Sequence, residues 1–217
     1  MSFSAIWHRR LKYMLTPQFD LYKRIGERFC TPKGLGLMGP TVLDYGCGTG
    51  FGTIQLRYGE VPDVWGVDCD GDAIEFAQSV IGNFAQFRCA DVLMGGTKGA
   101  LGTEWTNVAI ATNAEGFHVV TLIEVIEHME KNRQEELIET LSAYVNDEGV
   151  LILSTPNKRS QFRKHAGHVG MHDPGSLFVL LFKHFADVSF EDYLGEALPD
   201  DTSVSPLVAV CRRPRRP

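Results

Sequence analysis

The sequence lacks three features, and each absence narrows what the protein can be. It has no run approaching the roughly 20 apolar residues that a membrane-spanning helix needs, although 44% of its 217 residues are hydrophobic. It has no Cys-x-x-Cys pair, and its five cysteines are an odd number, so neither a disulfide framework nor a zinc knuckle is indicated. It has no secretory core near its N-terminus. We therefore expect an unprocessed cytoplasmic protein with reduced thiols and no membrane span.

Positive charge is also scarce. The chain has 21 Lys and Arg against 27 Asp and Glu, which gives a formal net charge of −6. Affinity for nucleic acids comes mainly from neutralising phosphates, so this balance argues against a general nucleic-acid binder. Two local basic segments remain, residues 8–24 and 212–217. We interpret the first as part of an amphipathic helix with its basic face outward, and the second as a solvated tail.

The order of the predicted elements favours a single α/β domain over residues 1–217, with an N-terminal helical cap (1–40, broken near Pro17), a core (41–211) and the basic tail (212–217). Strands that alternate with helices imply parallel pairing through right-handed crossovers. The last two strands have no helix between them, which favours a terminal antiparallel strand. The predicted strands are 41–45, 63–68, 85–90, 117–122, 149–154, 185–191 and 204–211, and the predicted helices are about 50–58, 71–81, 130–144 and 174–183.

Residues 42–50, VLDYGCGTG, are the most informative segment of the chain. A short apolar strand runs into Asp44 and then into Gly46, Gly48 and Gly50. Glycines without a Cβ let the backbone bend sharply and let a ligand lie against the main chain. A pyrophosphate-binding dinucleotide fold has the spacing G-x-G-x-x-G, whereas this loop is G-x-G-x-G and has a carboxylate beside it, which favours a cationic ligand. The pattern predicts a nucleotide-binding turn for a ligand without phosphate.

Acidic residues stand at the ends of three successive predicted strands. Asp68 ends the second strand, where Rossmann-type folds place the carboxylate that accepts both ribose hydroxyls. Asp91 follows the third strand. A single Asp at such a position is often a helix cap or a turn residue, but three at successive strand ends are harder to explain in that way.

The glycine loop and the three acids resemble those of class I S-adenosylmethionine-dependent methyltransferases, whose cofactor has a sulfonium, an ammonium and no phosphate. The resemblance implies a Rossmann-like, doubly wound, mostly parallel seven-stranded sheet with a terminal antiparallel strand. It implies S-adenosyl-L-methionine as the cofactor, and Asp91 as the partner of its adenine amino group. The expected cofactor-binding residues are Asp44, Gly46, Cys47, Gly48, Gly50, Asp68, Cys69, Asp91 and Glu124.

A second motif follows the fourth predicted strand. If the chain becomes helical there, Glu124, Glu127 and His128 stand at i, i+3 and i+4 and share one face. They would lie at the carboxyl end of the sheet, where open α/β sheets bind ligands. Residues 153–157, LSTPN, close the next strand, and a later loop carries His165, His168 and His172.

These motifs resemble two groups of class I methyltransferases. Small-molecule methyltransferases, which include the ubiquinone-pathway O-methyltransferases, often have E-V-[IL]-E-H, S-T-P-N and a later histidine, whose position His168 fits. The small-RNA 3′-terminal 2′-O-methyltransferases use E-x-x-E-H and a later histidine to hold a divalent metal. In this chain Glu124, Glu127, His128 and His168 could take that role. The E-x-x-E-H string is common to both groups and does not decide between them.

We expect methyl transfer to an oxygen or nitrogen of a small-molecule acceptor, without a metal. His128 and His168 are the predicted catalytic bases, because an imidazole titrates near neutral pH, and His172 is a third candidate. His118 and His184 are expected to be structural. The alternatives are a metal-dependent RNA 2′-O-methyltransferase and a non-catalytic S-adenosylmethionine-binding subunit. The sequence gives no oligomeric state.

Two further segments are assigned to the acceptor side. Residues 92–116 are rich in glycine and longer than the corresponding link in the resembled proteins, so we interpret them as an acceptor-side or edge insertion, with a plain surface loop as the alternative. The N-terminal residues 1–30 are expected to border the acceptor site, where Trp7, Tyr13 and Phe19 would help exclude water from the transferring methyl. Their loss would then reduce turnover far more than cofactor affinity.

Overall fold

The computed structural model describes residues 16–30, 39–57, 63–90, 116–160 and 167–216. The predictions for Asp91, His165, residues 1–15 and residues 92–115 lie outside these ranges. The chain divides into two compact units, Met1–Ala90 and Asp91–Pro217. The expectation of a single domain stays a prediction.

Seven strands form one sheet, and the sheet confirms the predicted fold class. The strands are β1 (Thr41–Tyr45), β2 (Asp63–Asp68), β3 (Gln86–Cys89), β4 (Phe117–Ile123), β5 (Val145–Thr155), β6 (Phe185–Glu191) and β7 (Leu207–Pro214). The helices are α1 (Pro17–Phe29), α2 (Thr53–Leu56), α3 (Gly71–Ile81), α4 (Lys131–Tyr144) and α5 (Pro174–Phe182). The strand order is β3-β2-β1-β4-β5-β7-β6. Within the first unit β2 pairs in parallel with β1 and β3, and within the second unit β4 and β5 are parallel while β7 is antiparallel to β5 and β6.

The first unit has nearly continuous apolar strands. In β1 both Val42 and Leu43 are buried, and in β2 Val64, Trp65 and Val67 are buried. Parallel strands covered on both faces have this composition, because neither face meets water. The following helix α3 begins where the Asp70 side chain accepts hydrogen bonds from the first-turn N–H groups.

Helix α1 is amphipathic and lies close to α2. It begins at Pro17, whose missing N–H costs nothing in a first helical turn. A Cβ added at Gly26 would stand 2.3 Å from the carbonyl oxygen of Gln55, so the glycine permits this close approach. The helix α2 is only four residues long, much shorter than the predicted 50–58.

In the second unit, the predicted end of the last strand and the interpretation of residues 212–217 as a solvated tail are both wrong in part. Strand β7 ends at Pro214, so residues 212–214 belong to the sheet rather than to a solvated tail. Arg213 forms an ion pair with Asp187, and Arg216 lies 2.9 Å from Asp147. Two of the basic side chains at this end are thus neutralised within the unit. Among the described helices, none has the length and apolar character needed to cross a membrane.

Candidate functional site

The turn after β1 holds its three glycines in left-handed backbone. Gly46, Gly48 and Gly50 have φ values of 77°, 53° and 79°, which side chains other than glycine rarely adopt. The N–H groups of Gly46 and Cys47 both donate to the carbonyl oxygen of Val67, at 2.7 and 3.0 Å. These bonds anchor the start of the glycine loop (residues 45–52) to β2.

Two of these glycines are required for different reasons. A Cβ at Gly50 would stand 2.6 Å from atoms of Ile81 and Phe87, so packing explains this glycine. A Cβ at Gly48 would meet nothing within 4 Å in the described part of the chain. Gly48 is therefore explained by its left-handed backbone and not by packing.

The carboxylate of Asp68 holds the same loop. Its Oδ2 accepts the N–H of Gly48 at 2.7 Å, and its Oδ1 accepts the N–H of Asp70 at 2.9 Å. The side chain is only partly buried. Since each carboxylate oxygen has two lone pairs, Asp68 can still accept hydrogen bonds from a pair of ribose hydroxyls.

Asp44 is placed differently from what the sequence suggests. Its carboxylate is fully buried, and each oxygen accepts a hydrogen bond from a hydroxyl. Tyr22 Oη donates to Oδ1 at 2.9 Å, and Thr53 Oγ1 donates to Oδ2 at 2.6 Å. Sequence reasoning missed Tyr22. The only signal was its place on the buried face of α1 beside Leu21 and Ile25.

The two cysteines assigned to the cofactor differ in exposure. Cys47 is buried, its thiol lies 3.7 Å from the carbonyl oxygen of Gly48, and burial strongly raises its pKa. It is an uncharged packing residue within the loop. Cys69 is exposed directly after Asp68, and its carbonyl oxygen accepts from the Cys89 thiol at 3.7 Å. Neither forms a disulfide.

Within the second unit, Glu127, His128 and His168 form a cluster whose potential ligand atoms all lie within 4.8 Å of one another. The rings of the two histidines are 5.0 Å apart between centroids, at an angle of 73°. The Glu127 side chain is 1% exposed and that of His128 is 47% exposed. A buried carboxylate thus lies behind an imidazole that solvent and solutes can reach.

Glu127 is held on one oxygen only. Its Oε2 accepts from Thr155 Oγ1 at 3.0 Å, whereas the buried Oε1 has no hydrogen-bond partner among the described residues. Burial raises the pKa of Glu127 to about 7. Oε1 lies 3.8 Å from Nε2 of His128, so a proton on that nitrogen would give the carboxylate a charged partner.

The hydrogen bond of His128 identifies its neutral tautomer. Nδ1 lies 3.1 Å from the carbonyl oxygen of Gly167. Because a carbonyl can only accept, Nδ1 carries the hydrogen and Nε2 carries the lone pair. The basic nitrogen of His128 is therefore the one near Glu127.

Glu124 does not share a face with this cluster, so the predicted helical arrangement is wrong. The backbone at Glu124 is left-handed, with φ 56°, and a single 3₁₀ turn spans Ile126–His128. Glu124 instead binds the end of β5, where its Oε1 accepts from Ser154 Oγ at 2.9 Å and its N–H donates to the Ser154 carbonyl at 3.0 Å.

The buried side chain of Gln134 joins the two segments that carry the cluster. Its Nε2 donates to the carbonyl oxygens of Ile126 at 2.8 Å and Gly170 at 2.7 Å. The N–H groups of Val169 and Gly170 also donate to the carbonyl oxygen of Glu127, at 2.9 and 3.0 Å. These bonds set where His168 lies relative to the 126–128 turn.

His172 belongs to the hydrogen-bond network around Gln134 and is not a third base. Its Nε2 lies 2.7 Å from Oε1 of Gln134, and its Nδ1 lies 3.1 Å from Oγ of Ser176. The side chain is buried, which lowers its pKa to about 4. It is neutral near pH 7, and both ring nitrogens are engaged.

Comparison with known proteins gives one family and one curated relative. A family model described as "Methyltransferase domain" matches residues 6–193. The Ubiquinone biosynthesis O-methyltransferase of Haemophilus ducreyi (strain 35000HP / ATCC 700724) is 32% identical over 133 residues. The match covers 58% of this chain and 49% of the relative, so the chain spans about half the length of that relative.

Solved structures share the fold at low sequence identity. A chain of the complex between the Haloferax volcanii Trm112 methyltransferase activator and a methyltransferase has a TM-score of 0.66 at 14% identity, with 98% of this chain and 96% of that chain covered. The DhpI–SAH complex has a TM-score of 0.63 at 18% identity, with 95% and 88% covered. At these identities the likeness concerns the fold.

Proposed function

The chain belongs to the methyltransferase-domain family, and from this premise we propose that it transfers a methyl group from S-adenosylmethionine to an oxygen or nitrogen of a small-molecule acceptor. The observation that carries the proposal is the pair of a buried Glu127 and a half-exposed His128, 3.8 Å apart. A partly exposed imidazole backed by a buried carboxylate is suited to taking a proton from an acceptor. The curated relative, an O-methyltransferase by name, favours an oxygen acceptor.

Residues of the first unit fit the cofactor. When bound, S-adenosylmethionine supplies a methyl group made electrophilic by a positively charged sulfur. Gly48 leaves space against the loop backbone, and Asp68 keeps lone pairs for ribose hydroxyls. The buried charge of Asp44 favours a cationic ligand through its field rather than by contact. Asp91, outside the described residues, stays a predicted adenine ligand.

Residues of the second unit accept the proton that the acceptor loses. An acceptor hydroxyl gives its proton to Nε2 of His128, whose Nδ1–H stays on the Gly167 carbonyl. The imidazolium that forms is stabilised by Oε1 of Glu127. His168, whose ring meets that of His128 edge-on, is the second candidate base.

The charge distribution supports a small acceptor. The net charge is −6, and Arg213 and Arg216 are paired with Asp187 and Asp147. Binding of a polynucleotide would need cations that are available to phosphates.

The test is release of S-adenosylhomocysteine by the purified chain, offered pooled small metabolites in one assay and short RNAs with free 3′ ends in the other. We expect release with the metabolites and none with RNA, and the His128→Gln variant serves as the inactive control. Release with RNA alone would contradict the proposal. Cofactor binding without release in either assay would indicate the non-catalytic subunit.

One observation favours a second candidate, a metal-dependent RNA 2′-O-methyltransferase. The carboxylate and the two imidazoles of the cluster are ligand types that suit Mg²⁺ or Mn²⁺. The fourth predicted ligand, Glu124, is bonded to Ser154 and is not part of that cluster. The RNA assay, repeated with and without EDTA, tests this candidate.

A further inference from the structure

We propose that Tyr22 of α1 is a positioning residue of the cofactor site, which acts by holding the carboxylate of Asp44 at the start of the glycine loop. The proposal rests on the proposed function, because it concerns affinity for S-adenosylmethionine. It assigns to α1 a role on the cofactor side, whereas the sequence places residues 1–30 on the acceptor side.

The first observation is the buried hydrogen bond itself. Tyr22 is 3% exposed and Asp44 is 0% exposed, and the phenol donates to Oδ1 at 2.9 Å. A buried carboxylate that loses a hydrogen-bond donor pays a desolvation cost that water cannot relieve. Asp44 therefore depends on α1, a helix that precedes β1 in the chain.

The second observation is that Asp44 also closes the loop. Asp44 precedes the loop and Thr53 follows it, and Thr53 Oγ1 donates to Oδ2 of Asp44 at 2.6 Å. The ends of the 45–52 loop are thus joined through one carboxylate. Tyr22 holds the other oxygen of that carboxylate, so its hydroxyl limits how far the loop ends can move.

The third observation is the close packing of the Tyr22 ring. A Cβ at Gly52 would stand 2.4 Å from that ring. The backbone of Gly52, with φ −65° and ψ −48°, is one that any residue adopts, so the contact with Tyr22 is what requires glycine. The ring is held against the end of the loop, which orients the hydroxyl toward Asp44.

The experiment is calorimetric titration of S-adenosylhomocysteine into the full chain and its Tyr22→Phe variant. The variant keeps the ring against Gly52 and removes only the hydroxyl. We expect Kd to rise about tenfold, because the Asp44 carboxylate that joins the loop ends loses one of the two hydroxyls that hold it. The KM for S-adenosylmethionine should rise in parallel, while kcat at saturating cofactor should change less than twofold.

Ile25→Val is the matched control, because Ile25 lies on the same buried face of α1. It should lower the Tm and leave Kd within twofold of wild type. Equal rises of Kd in both variants, in proportion to their loss of Tm, would show a merely structural role and overturn the proposal. A folded Tyr22→Phe chain with wild-type Kd would also overturn the proposal. A Tyr22→Phe chain that does not fold would overturn it as well, because the hydroxyl would be needed for folding rather than for positioning Asp44. Failure of the wild-type chain to bind would instead contradict the proposed function.

Discussion

His172 and Gln134 form a buried hydrogen bond in which the imidazole is the donor. Nε2 of His172 lies 2.7 Å from Oε1 of Gln134, an acceptor, so Nε2 carries the hydrogen. Nδ1 lies 3.1 Å from Oγ of Ser176, which also lies 3.1 Å from the carbonyl oxygen of Asp173. Because the ring is buried, the loss of hydration disfavours the protonated imidazole and lowers its pKa.

The first prediction concerns stability at acid pH. The pKa of His172 is lowered by burial to about 4 in the folded chain, against about 6.5 when unfolded. Between these values the unfolded chain binds the proton more tightly, so the contribution of His172 to the free energy of unfolding falls as the pH falls from 6.5 to 4. The loss reaches about 3 kcal/mol.

The measurement is urea unfolding of wild type and His172→Asn at pH 7.5, 6 and 5. Glu127, with its pKa raised to about 7, contributes the opposite slope between pH 4.5 and 7, so the comparison uses the difference between the two chains. That difference should shrink toward acid pH. A difference that stays constant would contradict this assignment of His172.

The second prediction concerns the base. His128→Gln should lower kcat by about 10²–10⁴-fold, the usual contribution of a general base. Glu127→Gln should lower kcat less, because it leaves the base and removes only the partner of the imidazolium. Affinity for S-adenosylmethionine should be unchanged in both. Steady-state release of S-adenosylhomocysteine, measured with the acceptor that the metabolite assay identifies, gives kcat. Calorimetry gives the affinity for S-adenosylmethionine.

The control for this pair is Glu130→Gln, a loss of one carboxylate just beyond the 3₁₀ turn, which should retain wild-type kcat. Activity of His128→Gln near the wild-type value would move the role of base to His168.

The third prediction concerns Asp68. Asp68→Ala should weaken S-adenosylmethionine binding by about 1.5–3 kcal/mol, the worth of hydrogen bonds to a charged group. The loss includes the bond to the Gly48 N–H that now holds the loop. Asp63→Ala, at the opposite end of β2, is the calorimetric control. Equal affinities of the two variants would exclude Asp68 from the site.

The fourth prediction is that turnover does not require a metal. Exhaustive treatment with EDTA should leave the rate of S-adenosylhomocysteine release unchanged, because His128 takes the acceptor proton itself and the imidazolium that forms is the charged partner of Glu127. A crystal soaked in Mn²⁺ provides the direct check. Density for an ion bound by Glu127, His128 and His168 would reverse the prediction and favour the RNA acceptor.

Much of the fold could be predicted because its signals are local. The predicted bounds of β1, β2, α3 and β6 agree with the structure residue for residue. Apolar runs mark β1 and β2, and the Asp70 cap marks the start of α3. The helix predicted over 50–58 shrinks to Thr53–Leu56, because Gly50 lies in left-handed backbone and cannot begin it.

The site was predictable only in part, because several of its hydrogen bonds join residues that are far apart in the sequence. The glycine spacing identifies its loop, but the bonds from Tyr22 to Asp44 and from Gln134 to His172 join residues 22 and 38 positions apart. The sequence around a single Tyr or Gln does not predict a hydrogen-bond partner so far along the chain. The helical arrangement predicted for Glu124 is wrong because the backbone at this residue is left-handed, although the spacing of the three side chains fits a helix.

The cofactor site proposed for this chain is the loop around Gly48 together with Asp68. Its most direct test is a calorimetric titration of S-adenosylmethionine into wild type and Gly48→Val, with circular dichroism to establish that the variant is folded. We expect micromolar affinity for wild type and no measurable binding for the variant, whose side chain would fill the space beside the loop. Unchanged affinity in a folded Gly48→Val chain, or tighter binding of NAD than of S-adenosylmethionine by wild type, would contradict it.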